Sequence, residues 1–300
     1  VFYAFAMRRL WTFPLLLCVI LGCSLAQTAA KKFRLVSLHA NGSQRYNEAQ
    51  VLQATGLQLN EEVTQNDLEE AANQLGETGV FVAVHFQFMP VTGGVSATYQ
   101  VTDANLLAPV IFENFVWFTP DQLDSELRTR VPLFQGKLPN AGTLLSDVRL
   151  ALQALLNNRN IPGTVKTTVD SPSGQFNAVV YEVEDIEPHI ASVKFEGAKR
   201  LDSAILEDAA HSLIQSPFRQ SVVRGFCNSQ LKNLYLARGF LKVRFADPVY
   251  KLVGESAGSS RRGHDPNRGG STVSFWRRCM VREYHSHIAR TSETCLLAKR

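Results

Sequence analysis

Cysteine is scarce in the body of this 300-residue chain: Cys18 and Cys23 lie near one end, Cys279 and Cys295 near the other, and Cys227 stands alone between them. One cysteine makes no internal disulfide, so the body must be held by apolar cores rather than by bridges. Long apolar runs are missing too. The best, Leu10 to Leu21, is interrupted by Thr12 and Pro14 and is shorter than the ~20 residues a comfortable membrane span needs. Convergent chemistry is absent as well. His39, His85, His189 and His211 are dispersed, with no spacing that sets a base beside a nucleophile, and no glycine-rich phosphate loop precedes a helical pattern. Cys279, His285, His287 and Cys295 are zinc-ligand types at a spacing that fits no familiar site, so no metal and no cofactor is expected. The acidic stretch Glu182 to Glu187 alternates with apolar residues and reads as a solvated strand edge.

Positive charge is also missing from the body. The formal net charge is +4, yet residues 31–253 carry 20 basic and 23 acidic side chains, while 254–300 carry nine and four. No basic patch with interleaved aromatics occurs there, which argues against nucleic acid as a partner.

What is present is a repeated joint. In Tyr235-Leu236-Ala237-Arg238-Gly239-Phe240 a helical run meets a glycine and a strand-like run follows at once. Such a joint needs a residue that accepts positive φ, to close off the last helical carbonyls and turn the chain into a sheet. Leu155 to Ile161 has the same layout with Asn160 in that place, and Leu75 to Phe81 has Gly79. Asparagine is the other residue that tolerates the left-handed region. Joints spaced by about 80 residues argue for copies of one module.

The chain between them reads β-α-α-β-β three times. The first copy has a strand from Phe33, a helix capped by Asn47, a second helix from about Gln65 to Leu75, and two alternating runs about Gly93-Gly94. The second has Val110 to Asn114 as opening strand and Thr119-Pro120 as helix start. A second helix carries Leu145, Val148, Leu152, Leu155 and Leu156, and a hairpin is formed by Val165 to Val169 and Phe176 to Val183. In the third, Val193 to Gly197 aligns with Val110 to Asn114, Gly197 standing opposite Asn114, and Asp202 caps a helix. Leu241, Val243 and Phe245 begin its hairpin, but no final strand follows. The expected organisation is a leader and signal peptide over 1–30, modules over 31–106, 107–186 and 187–252, the last incomplete, and a disordered or out-of-frame tail over 253–300. Pro109 and Pro188 stand at the two junctions.

Met7-Arg8-Arg9, the apolar run and the small residues after it have the order of a secretory signal, with cleavage patterns at Ser24-Leu25-Ala26 and Thr28-Ala29-Ala30. Ile20-Leu21-Gly22-Cys23 resembles a lipoprotein box that would acylate Cys23. Loss of a strand where the composition changes points to a shifted or shortened reading frame.

These modules resemble the POTRA domain, found in tandem on the periplasmic side of outer-membrane assembly and transport barrels of the BamA and TamA type. The carriers are Phe112-Glu113-Asn114, Phe195-Glu196-Gly197, Gly79-Val80-Phe81 and Gly239-Phe240. The resemblance implies an α+β fold in which each module is a three-stranded sheet covered on one face by two helices. The strand after the glycine would lie at the sheet edge and receive unfolded outer-membrane proteins or periplasmic accessory proteins by strand addition, without a chemical step. The candidate edges carry Val82, Val84, Phe86 and Phe88; Val165, Thr167 and Val169; and Leu241, Val243 and Phe245. For each apolar side chain the simpler reading is that it faces the helices and the edge backbone binds. An outer-membrane barrel would be a further partner if the gene continues. Competing readings are an inner-membrane-anchored division scaffold, told apart by the mature N-terminus, and a periplasmic enzyme, which would need a pocket with at least two convergent polar side chains.

Overall fold

The computed structural model describes residues 31–172, 175–195, 198, 201–240, 243–245, 250–252, 272–274 and 282–283. The expected signal, Cys23, Gly197, Leu241 and the Cys279 to Cys295 cluster lie outside them.

The first module runs β1 (Phe33–Asn41), α1 (Glu48–Ala54), β2 (Glu62–Val63), α2 (Gln65–Glu77), β3 (Phe81–Val91) and β4 (Gly94–Asp103). The helices start where short polar side chains catch first-turn N–H groups. Asn47 accepts from Gln50 N and Thr64 from Asp67 N, and in both capping boxes the third residue answers back to the cap. The sheet order is β2-β1-β4-β3, with β1 parallel to β4 and β4 antiparallel to β3. Leu35, Leu38, Val95, Ala97, Tyr99 and Val101 face the helices and meet Val51, Leu68, Ala71 and Leu75. The other face carries the Ser37–Ser96 hydroxyl contact of 2.5 Å.

The second module repeats this plan with β5 (Ala108–Phe112), α3 (Pro120–Arg130), β6 (Lys137–Leu138), α4 (Thr143–Asn158), β7 (Thr164–Asp170) and β8 (Ala178–Glu184), in the order β6-β5-β8-β7. Tyr99 and Tyr181 fix the equivalence of the two modules. Both are buried mid-strand, and each hydroxyl donates to a carbonyl of the second helix, Leu68 O and Leu145 O, at 2.9 Å. Each sheet thus has four strands rather than the three expected, because the chain entering the second helix adds a two-residue strand to β1 or β5. Two residues are too short to show an alternation.

The third module contains β9 (His189–Ser192), α5 (Ser203–Ala209) continued by a 3₁₀ turn at Ala210–Leu213, and a second helical run. That run is built of α6 (Gln220–Phe226), a π turn at Cys227–Leu231 and α7 (Lys232–Leu236). Its opening strand is His189–Ser192, earlier than the Val193 to Gly197 expected from the alignment, and directly after Pro188. The β9 strand pairs in parallel with β12 (Thr272–Ser274), which pairs antiparallel with β11 (Lys251–Leu252). The order β11-β12-β9 matches β3-β4-β1. A segment inside the stretch expected to be disordered therefore takes the place of the final strand that the sequence reading leaves empty. The bridge between His189 and Pro217 stands where β2 and β6 stand in the other modules.

Modules 1 and 2 share one continuous core. A second core, around Ile190, Leu206, Phe218, Leu231 and Tyr235, also takes in Val116 from module 2.

Candidate functional site: free sheet edges and module junctions

The three joint residues all take left-handed φ: 79° at Gly79, 53° at Asn160 and 85° at Gly239. At Asn160 and Gly239 the helix ends in the same two bonds. Asn160 N and Gly239 N reach back three residues to Asn157 O and Leu236 O, and Ile161 N and Phe240 N reach back five, to Leu156 O and Tyr235 O. This is the Schellman pattern. The first joint is built differently. Buried Thr78 donates its hydroxyl to Leu75 O at 2.5 Å and accepts from Val80 N at 3.4 Å, standing in for the five-residue bond. A threonine just before a positive-φ glycine was the signal for it.

Each joint in the first two modules delivers the chain to an edge. Among the described residues, β3 and β7 pair on one side only. A register shift between Phe81 and Ala83 changes which side chains of β3 face the core. Phe81 is buried in it, Val84, Phe86 and Phe88 are half-buried against it, and Val82 is turned out with 68% exposure. Val82 therefore does not share a face with Val84, Phe86 and Phe88, as uninterrupted alternation would require. Phe86 lies 6.5 Å from Phe88 and 6.1 Å from Tyr99 between ring centroids.

Free edges are usually blunted by charge, proline or a bulge. β3 has its bulge at the start and Pro90 near the end, and no Asp, Glu, Lys or Arg between. β7 is guarded more closely: Lys166 sits mid-strand and pairs with Glu184 at 2.9 Å. Its Val165 is buried, and Thr167 and Val169 are half-buried. In module 3, Val243 belongs to β10 (Val243–Arg244), which pairs with β13 (Arg282–Glu283) in a separate two-stranded sheet. Phe245 follows outside any strand and, like Val243, packs on the module 3 core. The end position of that module's sheet, opposite β9, is held by β11.

The junctions hold a second group of side chains. Between modules 1 and 2, Gln50 donates to Pro132 O at 3.0 Å and Gln135 to Arg45 O at 2.8 Å. A Cβ on Gly79 would lie 2.2 Å from Ala141 O. An open groove of about 420 Å³ lies beside this junction, lined by Ala54 and Thr78 on one side and Val131, Leu133, Leu144 and Leu150 on the other. Between modules 2 and 3, Glu113 and Asn114 are buried. Asn114 stays within its own module, bonding Val183 N at 2.7 Å and Val183 O at 2.8 Å. The position matching Asn114 in module 1 is Gly42, where a Cβ would lie 2.2 Å from Val101 O. Glu113 instead reaches across to Ser221 N at 2.9 Å, and Arg219 pairs with Glu182.

Among the described residues no group of three or more His, Cys, Asp or Glu side chains could hold a metal ion. No described helix is long and apolar enough to cross a membrane. His39 pairs with Glu48 at 3.1 Å on the surface.

No family model matches the chain, and no curated protein does. Among solved structures, it is similar to POTRA1-3 of the periplasmic domain of Omp85 from Anabaena, at 16% identity and TM-score 0.26, covering 82% of this chain and 94% of that one. It is also similar to the N-terminal domain of Omp85 from Thermosynechococcus elongatus, at 17% identity and TM-score 0.25, covering 82% and 97%. A third likeness is to Haemophilus influenzae BamA POTRA3-5, at 14% identity and TM-score 0.26, covering 83% and 97%. The module fold itself stands on the strand orders and registers given above.

Proposed function

We propose that this chain is a periplasmic part of an outer-membrane protein assembly or translocation factor, and that it binds extended segments of unfolded outer-membrane proteins or of accessory proteins by strand addition. The observation that carries the reading is β3: an eleven-residue strand, paired on one side among the described residues, with no formally charged residue between its bulge and Pro90. An incoming strand gains backbone hydrogen bonds along such an edge whatever its sequence, and its alternate side chains settle beside Phe86 and Phe88. β7 is a second and weaker acceptor, because Lys166 must be accommodated.

Tandem β-α-α-β-β units are also what the resemblance to POTRA domains rests on, and the signal-like order of the residues from Met7 to Ala30 supports export to where such clients pass. Nothing in the binding step requires bond chemistry, a cofactor or a metal. The β-barrel of such a factor would be a further partner if the gene continues.

The test is hydrogen exchange on the full chain with a synthetic ten-residue peptide of alternating apolar and polar residues. Slowed exchange centred on β3 is expected, with a smaller effect on β7. Unchanged exchange at both edges, or protection centred on the helices, would sink the reading.

A further inference from the structure

Four of the described helices provide their own cap: Asn47, Thr64, Thr119 and Asp202 each accept from a first-turn N–H. The second helices of modules 2 and 3 do not. The cap position is Gly142 for α4 and Arg219 for α6, neither with a side-chain cap bond. Both N-termini abut the preceding module. The second helix of module 1, which has no module before it among the described residues, carries Thr64. First-turn N–H groups that are neither capped nor hydrated are costly, so a helix start covered by a neighbouring module gains from an acceptor there.

For α6 the acceptor is Glu113. It stands one residue beyond β5 and is only 6% exposed. Its carboxylate Oε2 accepts from Ser221 N at 2.9 Å, and its backbone oxygen accepts from Gln220 N at 3.0 Å. With its amide turned so that the nitrogen faces a carbonyl, Gln220 donates to Phe112 O at 2.9 Å and accepts from Arg224 at 3.2 Å. The helical run that starts here continues without a break to Leu236, so the anion sits at the positive end of a long dipole. Glu113 N meanwhile donates to Tyr181 O, extending the β5–β8 ladder, and holds the residue to the module 2 sheet.

We propose that Glu113 is a latch between modules: it replaces the missing cap of the module 3 helix and thereby fixes the angle between modules 2 and 3. The latch does not depend on what the sheet edges bind. Its specificity is geometric, because one residue belongs to the ladder of one module and to the helix start of the next. The Arg219–Glu182 pair and Val116, inserted in the module 3 core, lie on the same junction and act with it.

Hydrogen exchange and small-angle scattering on the full chain test this. Glu113→Ala should speed exchange at Gln220 to Val223 at least about tenfold and alter the scattering profile, with β8 and α4 as protected as before. Unchanged exchange at the helix start, or an unchanged profile, would overturn the latch. Protection lost equally throughout module 2 would also overturn it, since Glu113 would then act only in folding that module. Should the alanine variant fail to fold, Glu113→Gln carries the test. It keeps an acceptor without the charge and should give an intermediate rate, about threefold above the parent, whereas a rate equal to the parent's would leave the carboxylate without a role.

Discussion

Gly142 and Thr78 meet across the first junction so closely that a Cβ on Gly142 would lie 2.4 Å from the Thr78 carbonyl oxygen, with Glu77 O at 2.8 Å. Gly142 also has φ +124°, a conformation side chains rarely adopt. Gly142→Ala should therefore cost about 3 kcal/mol, through a backbone clash added to local strain. Gly136→Ala is the control. Its φ is +79° and the nearest atom to an added Cβ is 4.0 Å away, so only the left-handed penalty of about 1 kcal/mol applies. Urea unfolding of both variants checks the difference, and equal costs would mean that the junction yields.

Two of the buried tyrosines, Tyr99 and Tyr181, should show themselves in alkali. Burial pushes Tyr99 up from 10.0 to about 12, and burial likewise raises Tyr181. A phenol whose folded value is raised contributes stability that is fully present below the unfolded value. That stability is lost as pH climbs through the folded one. Stability should fall between pH 10 and 12, and Tyr99→Phe should flatten the fall. The same substitution removes the bond to Leu68 O, at about 1 kcal/mol near neutral pH. Urea midpoints against pH for parent and variant decide it, and parallel slopes would count against the tyrosine.

Asn160 should tolerate glycine better than alanine. At φ 53° it occupies the left-handed region that closes α4. Asn160→Gly is expected to stay within a few tenths of a kcal/mol of the parent, and Asn160→Ala to lose about 1 kcal/mol. Thermal unfolding of the pair measures the gap.

Val82→Lys separates binding from folding. Val82 is exposed and outside the core, so stability should change by less than about 0.5 kcal/mol. A lysine beside the start of the open edge should hinder strand addition. Weaker peptide binding at unchanged melting temperature is the expected outcome, and binding as tight as the parent's would count against the β3 edge.

What could be read in advance was local. The caps at Asn47, Thr119 and Asp202 and the positive φ at Gly79, Asn160 and Gly239 follow from residues within a turn of each other. The helix faces follow from period, and modules 1 and 2 from recurrence. What could not be read depended on distant partners. Phe112-Glu113-Asn114 looked like one strand end, yet Asn114 closes onto Val183, 69 residues on, and Glu113 onto Ser221, 108 residues on. The two-residue strands β2 and β6 are too short for periodicity. The pairing of β12 with β9 joins segments some 80 residues apart. The bulge in β3 defeated simple alternation at Val82, because one shifted residue reverses the facing of what precedes it.

The length of β3 has a statistical consequence. A five-residue guest can slide along a strand in steps of two and keep the same side chains facing inward, so the stretch from Ala83 to Met89, between the bulge and Pro90, offers about two equivalent berths. Two berths in place of one favour binding by about 0.4 kcal/mol before any side chain is counted. It also lets a bound strand shift its berth by one small step rather than by complete release.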